Sequence, residues 1–513
     1  MSAVRGTFDA VVVGGGHNGL VAAWYLARAG LDVAVLERRD LVGGACITEE
    51  LWPGFRVPTC AYICHLLQRQ VIDDMELRRH GLEIYAQDPR VFYPFPDGRH
   101  FVAWSDDQRT AEEIGRLSAH DARAYPGFQA FRKRAAGLLR PYLLTAPPTM
   151  AELFARARGT EDEALLERLI GGSVADLLDE HFESPQVKAA MTRAWDAGDP
   201  DAPGSLFSVA YTWIDLLQAD EDFGVVRGGM GGITQAMLRA CQSAGVTVRT
   251  GAEVRQIMVA DGRARGVTLA SGEEIESSLV LSNADPKRTF LRLVAGEHLD
   301  PRFVRSIERL RTRAAYLKFH AALRELPDVT AYLGPDHDPR YLAYTHISPS
   351  VEYYRSSWED ASGGRPSRTP VMDVQITTVY DPSLAPPGQH VLSVWVQYAP
   401  PRPSAGSWDE LRQPTGEHLL RTLAQYAPNL NRGGAVLDWM LLTPADIEQR
   451  VGLTDGNIRH TDMVLGQMLA ARSGYRTPIR GLYLCGAGTH PGGEVTAAPG
   501  HNAAHAVLAD QGA

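Results

Sequence analysis

A glycine-rich segment near the start of the chain is the first feature whose residue types and spacing could support chemistry. It comprises residues 14–19, Gly-Gly-Gly-His-Asn-Gly, and it follows an apolar, β-branched run from Phe8 to Val13. Such a run predicts a buried parallel strand. The residues after the glycines have apolar side chains at helical spacing up to Gly30, which is typical of a helix C-terminus. The pattern therefore predicts a strand, a tight turn and a helix.

This order of elements is typical of dinucleotide binding. Gly14 allows the tight turn, Gly16 lets the backbone approach a diphosphate, and Gly19 lets the helix pack close to the sheet. His17 and Asn18 open the predicted helix, where free backbone amides and the helix dipole favour a phosphate group. These five residues are therefore candidate cofactor-binding residues.

An acidic residue and a second glycine pair extend the motif. Glu37 ends the next predicted strand, and it lies 37 − 19 = 18 residues past the last glycine. At that distance an acidic side chain accepts hydrogen bonds from a ribose diol. Arg38 follows, and Gly43, Gly44 and Ala45 come about one turn later. The spacing alone does not distinguish NAD from FAD, but two adjacent glycines suit close backbone approach to a ligand.

Three segments resemble FAD-dependent oxidoreductases of the amine oxidase and carotenoid (phytoene) desaturase superfamily. They are the Gly43-Gly44 pair, the segment Val-Arg-Gly-Gly-Met-Gly-Gly-Ile at 226–233, and residues 481–505. The resemblance spans nearly the whole chain. It implies FAD as the cofactor, and it implies that the backbone near Val254 meets the adenine.

The third segment is the strongest part of the resemblance. A predicted strand ends at Cys485, a glycine-rich stretch follows, and a helix continues through His505. In the family the start of this helix points at the pyrimidine end of the flavin, where the helix dipole stabilises negative charge. The resemblance therefore implies that Gly486, Gly493 and the two residues after Gly493 contact this end.

Two positions depart from the family pattern. Glu494 and Val495 stand where the family usually has glycine and small residues. A carboxylate there is either a partner of the helix dipole or a working group, and we favour the first interpretation. His65 lies in a region that the resemblance places at the border of the substrate cavity. It could move protons, although a histidine in such a position is more often structural. No catalytic residue is assigned from the sequence.

The resemblance implies an α/β fold in which a Rossmann-type FAD-binding domain is interleaved with a mixed-sheet and helical substrate domain. Residues 1–85, 225–300 and 440–513 are expected to build the FAD-binding domain, and residues 86–224 and 301–439 the substrate domain. Helical spacing over 107–195 predicts a lid, and alternation over 315–400 predicts strands of a mixed sheet at the cavity floor. Five aromatic residues are candidates for a hydrophobic tunnel, although core packing is their more common role; they are Trp195, Tyr211, Trp213, Trp395 and Tyr398.

The resemblance implies an oxidoreductase that transfers a hydride from a largely apolar small-molecule substrate to flavin N5, as a dehydrogenase or desaturase. Three alternatives stay open: a flavin amine oxidase, a redox-neutral isomerase, and a non-catalytic binding protein with the same fold. The intact glycines argue against the last, because carriers with this fold have degraded nucleotide motifs.

Composition and net charge narrow the classes of binding partner. The chain has 513 residues and a formal net charge of −10, which argues against nucleic-acid binding. No apolar stretch approaches the ~20 residues of a membrane span, and the first residues lack an apolar signal core. We therefore expect a cytoplasmic protein, with peripheral membrane contact left open and the oligomeric state unassigned.

The cysteines and histidines predict neither a disulfide-exchange site nor a metal site. The five cysteines are scattered without a C-x-x-C pair, and Cys60 and Cys64 would share a face if their segment were helical. The histidines are dispersed, so no metal is expected.

Overall fold

The computed structural model describes residues 6–192, 198–432 and 434–512. Trp195, one of the candidate tunnel residues, lies outside them. Within these residues the strands are β1 (Ala10–Val13), β2 (Val33–Leu36), β3 (Thr48–Trp52), β4 (Phe55–Pro58), β5 (Ile84–Ala86), β6 (Val91–Pro94), β7 (His100–Ala103), β8 (Gly224–Val226), β9 (Thr247–Arg249), β10 (Val254–Ala260), β11 (Arg263–Leu269), β12 (Glu274–Glu276), β13 (Leu279–Ser282), β14 (Ala315–Leu323), β15 (Tyr344–Ile347), β16 (Val371–Gln375), β17 (His390–Ala399), β18 (Val436–Leu442) and β19 (Leu482–Leu484).

The α-helices of the described residues are α1 (His17–Arg28), α2 (Arg69–Asp74), α3 (Asp107–Gly115), α4 (Ala119–Leu139), α5 (Met150–Ala157), α6 (Glu161–Gly171), α7 (Val174–His181), α8 (Pro185–Met191), α9 (Ser205–Ala210), α10 (Gly231–Ser243), α11 (Pro286–Arg288), α12 (Pro301–Glu308), α13 (Thr330–Leu333), α14 (Val351–Ser362), α15 (Trp408–Leu423), α16 (Asn429–Arg432), α17 (Pro444–Val451) and α18 (Ala498–Gln511). Seven of these α-helices, α3 to α9, follow one another between β7 and β8, and the others are distributed among the remaining strands.

A five-stranded parallel sheet carries the glycine-rich turn. Its strand order is β19-β13-β1-β2-β9, and every pairing in it is parallel. Helices α1, α10 and α18 cover one face, while the antiparallel sheet β10-β11-β12 packs on the other. All four residues of β1 are buried, as expected for a parallel strand covered on both faces. The predicted strand, turn and helix are confirmed here.

A seven-stranded mixed sheet forms the second layer. Its order is β18-β14-β17-β16-β15-β6-β7, and the pairing of β15 with β6 is parallel while the others are antiparallel. One face packs with α15 in an apolar core. The predicted boundary at residue 440 falls inside β18, which pairs with β14 of this sheet.

Helices cover the other face of this sheet. We call residues 107–217 the lid; its described part contains α3 to α9 and the 3-10 helix Thr212–Leu217. The lid helices share a core with aromatic side chains of the sheet, among them Tyr316, Trp395 and Tyr398. The segment from Cys60 to Cys64 is a loop rather than a helix, so the condition under which these two cysteines would share a helical face is not met.

Candidate active site

A cavity of about 930 Å³ opens where β1 meets α1. Predicted site residues that line it are Gly14, Gly16, His17, Asn18, Glu37, Arg38, Gly44, Ala45, Val254 and Glu494. They come from five separate parts of the chain.

The start of α1 supplies free donors to this cavity. Gly16 is the N-cap residue, and no side chain caps the first turn. The first amides of a helix have no partner within it, and they make a ready site for an anion. Oδ1 of Asn18 and Nε2 of His17 are buried without a hydrogen-bond partner among the described residues. Burial lowers the pKa of His17 to about 4, so its ring is neutral at pH 7.

Glu37 links the loop and the next strand. Its Oε2 accepts a hydrogen bond from the Gly15 amide at 2.8 Å, and its Oε1 accepts one from the Arg39 amide at 2.9 Å. A carboxylate oxygen has a second lone pair, so Glu37 can still accept from a ligand hydroxyl. Arg38 lines the cavity on the same side and donates to the carbonyl of Gln449 at 2.6 Å.

Five predicted residues lie beside the cavity without lining it: Gly19, Gly43, Gly486, Gly493 and Val495. The glycines shape its wall. A Cβ at Gly19 would lie 2.2 Å from the carbonyl oxygen of Gly14, so α1 approaches the turn as the sequence predicts. The amide of Gly43 donates to Gly15 at 2.9 Å, which brings the two glycine segments together.

An ion-paired cluster closes one end of the cavity. Glu494 is paired with the Arg459 guanidinium through Oε1, and its Oε2 lies 3.6 Å from Nε2 of His65. Nδ1 of His65 lies 3.3 Å from Oδ2 of Asp215 in the lid. Nη1 of Arg459 donates to the hydroxyl of Tyr316 at 2.9 Å. We call Arg459, Glu494, His65 and Asp215 the charge cluster.

Neighbouring charges determine the protonation states of His65 and Glu494 in this cluster. Burial opposes the charged form of His65, but Asp215 and Glu494 outweigh it and raise its pKa to about 9. Burial also opposes ionisation of Glu494, but Arg459 and His65 outweigh it and hold its pKa well below the usual range. At pH 7 the cluster therefore contains an imidazolium and a carboxylate side by side. Glu494 precedes α18 by four residues, so its partners are these side chains rather than the helix dipole, which corrects the favoured interpretation.

Left-handed backbone conformations surround the same end. Glu494 has φ 70°, Ala497 has φ 66°, and His460, which lines the cavity, has φ 66°. Such conformations are unfavourable for residues with a Cβ and often occur at functional sites.

Several residues of this site were not predicted from the sequence. Arg459 and Asp215 belong to the charge cluster, Tyr316 accepts a hydrogen bond from Arg459, and Asn283 and His460 line the cavity. Asp215 follows the candidate tunnel residues Tyr211 and Trp213, but no sequence pattern indicated an acidic group at that position.

A buried amine lies deeper, beyond Tyr316 on β14. Nζ of Lys318 donates to Oγ of Ser393 at 2.9 Å and lies 5.3 Å from the ring centre of Tyr62. Burial lowers the pKa of Lys318 to about 7.

The five cysteines are free and buried, and burial raises the pKa of each thiol. Reactive cysteines have lowered pKa values and accessible sulfurs. The structure thus supports the sequence-based expectation that these thiols do not run disulfide exchange.

The raised pKa of His65 predicts a pH-dependent stability. A histidine whose folded pKa lies above its unfolded value of about 6.5 stabilises the fold fully below that pH, and the contribution is lost as the pH rises through about 9. We expect His65→Gln to cost about 1–3 kcal/mol of unfolding free energy at pH 6 and much less at pH 10. Denaturant unfolding at several pH values measures this. His298→Gln, in the 3-10 helix Gly296–His298 before α12, is the control, and an equal pH slope in wild type and His65→Gln would contradict the assignment.

Known proteins share the whole architecture. The chain is 37% identical to pyridine nucleotide-disulfide oxidoreductase domain-containing protein 2 of Mus musculus, over 98% of this chain and 94% of that protein. It is 29% identical to one of the limonene dehydrogenase subunits of Castellaniella defragrans, over 98% and 95% of the two chains. A structure of a triple mutant of putrescine oxidase has a TM-score of 0.65 at 16% identity, covering 98% of both chains, which shows a common fold.

A family model described as flavin containing amine oxidoreductase matches residues 19–508. This match covers the glycine-rich turn from Gly19 onward, the lid, both large sheets and most of α18. The cavity at the start of α1 has the free amides and acidic side chain that an FAD diphosphate and ribose require. The chain belongs to the flavin containing amine oxidoreductase family, and it is an FAD-dependent oxidoreductase.

Proposed function

We propose that this protein is a dehydrogenase that removes a hydride from a C–H bond of an organic small molecule held between the FAD cavity and the seven-stranded sheet. The observation that carries the proposal is the charge cluster, which lines the cavity through Glu494 and contacts Tyr316 of the sheet through Arg459. When bound, FAD accepts the hydride with its electron pair. The residues of this chain bind and orient the substrate, and they exchange the proton that the reaction releases.

Backbone amides at the start of α1 would hold the FAD diphosphate, and Glu37 the adenosine ribose. Val254 lines the same cavity at the position proposed for the adenine. The carboxylate of Glu494 and the residues around it would lie at the flavin end. These roles agree with the order in which the cavity wall is built along the chain.

The reacting part of the substrate would lie against aromatic side chains. The rings of Tyr316 and Trp395 are 4.6 Å apart, and the ring of Tyr62 lies 5.4 Å from that of Trp395. Arg459 lies over both Tyr316 and Trp395 at 5.9 Å. Aromatic walls exclude water and fix the orientation of a C–H bond.

An imidazolium has no free lone pair, so His65 would first release its Nε2 proton to water and would then accept at Nε2 the proton that leaves the substrate. Nε2 lies 3.6 Å from Oε2 of Glu494, and Asp215 on the other side stabilises the imidazolium that forms. This arrangement places an exchangeable proton beside the cavity while the net charge of the cluster stays balanced.

Amine oxidation is the second candidate. The observation that favours it is the group of rings formed by Tyr62, Tyr316 and Trp395, because aromatic faces attract amines and their cations. Putrescine oxidase, whose fold this chain shares, acts on an amine according to its name.

Substitution of Gly16 should abolish flavin binding. A Cβ at this position would lie 2.9 Å from Nδ2 of Asn283, and the rest of a valine side chain would occupy the space at the start of α1. We expect Gly16→Val to purify colourless and Gly127→Val, whose added Cβ meets nothing within 4 Å, to purify yellow. The absorbance ratio of flavin to protein measures this, and equal ratios would refute the assignment of the turn.

Glu37→Gln should weaken FAD binding by roughly 1–3 kcal/mol, about 5- to 150-fold in Kd, because a charged acceptor is lost. Titration of the apoprotein with FAD measures the change. The stability of the apoprotein must be measured in parallel, since Glu37 also accepts from Gly15 and Arg39. An unchanged Kd would exclude Glu37 from the site.

Anaerobic flavin reduction tests the reaction itself. Apolar and polar extracts of host cells are added separately, and bleaching of the flavin band is followed. Bleaching by a neutral compound supports the dehydrogenase, bleaching by amines alone supports the amine oxidase, and no bleaching by either extract argues against both. With an active fraction, His65→Gln should reduce the flavin roughly 10²- to 10⁴-fold more slowly at unchanged flavin content. An unchanged rate would remove His65 from the proton step.

A further inference from the structure

One face of the seven-stranded sheet is polar although it is buried. Strand register aligns two adjacent rows across β14, β17, β16 and β15. The first row is His320, Ser393, Gln375 and Tyr344, and the second is Lys318, Trp395, Asp373 and His346. We call these eight residues the polar floor.

The polar floor is isolated from solvent. Each of its side chains belongs to a residue at most 3% exposed, and the opposite face of the same strands packs in an apolar core. Burying a polar group without a partner costs roughly 1–3 kcal/mol, so a buried polar face is unfavourable unless its polar groups find partners.

Hydrogen bonds within the polar floor pair some of its polar groups. Asp373 accepts hydrogen bonds from the Tyr344 hydroxyl at 2.8 Å and from Nδ1 of His346 at 2.7 Å. Lys318 donates to Ser393, as described above, and the amide of Gln397 donates to Asp373 at 3.2 Å. Both carboxylate oxygens of Asp373 therefore accept hydrogen bonds from donors of the protein.

Four polar atoms of the floor remain without a hydrogen-bond partner within the described ranges: Nε2 and Oε1 of Gln375, Nε2 of His346 and Nδ1 of His320. In a neutral ring of His346, Nδ1 donates to a carboxylate and Nε2 is an acceptor. In a neutral ring of His320, Nε2 donates to the carbonyl of Thr59 and Nδ1 is an acceptor. The floor thus offers three acceptors and one amide donor to whatever lies above it. Buried polar groups of this kind are normally met by a ligand or an ordered water.

The floor is continuous with the site. Trp395 lies in the same row as His346 and Lys318, and its ring contacts Tyr316, which binds Arg459 of the charge cluster. At the other end the ring of Tyr93 contacts His346 at 5.7 Å. Tyr93 also lines a cavity of about 880 Å³ beneath the lid, which Asp215 borders as well. Tyr93 thus links this cavity to the floor, and Asp215 links it to the charge cluster.

We propose that the polar floor binds a neutral hydrogen-bonding group of the substrate, an amide or a hydroxyl, at a distance from the C–H bond that reacts. This inference rests on the proposed function and narrows its substrate class. A substrate that is apolar throughout, as the family resemblance implies, would leave Gln375 and His346 unpaired. A charged group is disfavoured because the only carboxylate among the eight floor residues is already engaged and Lys318 is bonded to Ser393.

Removing the amide of Gln375 tests the floor without a substrate. Gln375→Met keeps the side-chain length and removes both unpaired atoms, so we expect the melting temperature of the holoenzyme to stay or rise, with flavin content unchanged. Met372→Ala, on the same strand but in the apolar core, is the control and should lower the melting temperature by several degrees. A fall for Gln375→Met as large as that for Met372→Ala would show a structural amide and overturn the proposal.

Matched probes test binding. We would titrate the holoenzyme with 3-phenylpropanamide, 3-phenylpropanol and propylbenzene, which share a phenyl group and differ at the other end, and follow the melting temperature and the flavin absorbance. The amide or the alcohol should bind at least 10-fold more tightly than propylbenzene. Gln375→Met should remove that preference, while Met372→Leu should keep it.

The outcomes separate the two proposals. Equal binding of propylbenzene and the amide to the wild type overturns the polar floor. If none of the probes binds, the melting temperature of Gln375→Met alone decides whether the polar-floor proposal stands. A protein that binds FAD but reduces it with no compound refutes the proposed function, whereas the melting temperatures and probe affinities still report on the floor.

Discussion

A partly buried carboxylate, that of Glu494, must keep its cationic neighbours, and several distant parts of the chain meet around it. An ion in a protein interior is unfavourable unless it is paired, and removing one member of a buried pair typically costs about 3–5 kcal/mol. Arg459 comes from the segment after α17, and His65 comes from the loop after β4. The lid adds Asp215, which balances His65. The relative position of these segments is therefore set by charge as well as by packing.

The same end of the cavity combines charge with backbone strain. Left-handed conformations at Glu494 and His460 are maintained because hydrogen bonds and ion pairs hold the segments around them. At the other end, α1 offers unpaired amides and the carboxylate of Glu37 anchors the turn. One cavity thus has an anion-binding end and an end where protonation is controlled, which suits a cofactor whose diphosphate and ring need different surroundings.

Local patterns allowed the FAD-binding part to be predicted, because its strand, glycine turn, helix and acidic residue lie within 30 residues of one another. Alternation in β14, with Tyr316, Lys318 and His320 on one face, also predicted a strand of the cavity floor. What the sequence could not indicate depends on distant pairs: His65 and Asp215 are 150 residues apart, and the polar floor combines four strands.

The predicted domain boundaries stay predictions, as does a cytoplasmic location; no helix in the described part of the chain is long and apolar enough to cross a membrane.

The lid is joined to the site by more than its apolar core. The hydroxyl of Tyr211 donates to the carbonyl of Gly493 at 2.9 Å, one residue before Glu494, and Asp215 holds His65 from four residues further along. Exchanging the lid with that of a relative would therefore also exchange the counter-ion of a histidine in the candidate site. A chimera that preserves every apolar contact but lacks an acid at position 215 would carry an unbalanced imidazolium. When this fold is engineered, the lid must be treated as a source of charge for the site and not only as the layer that covers it.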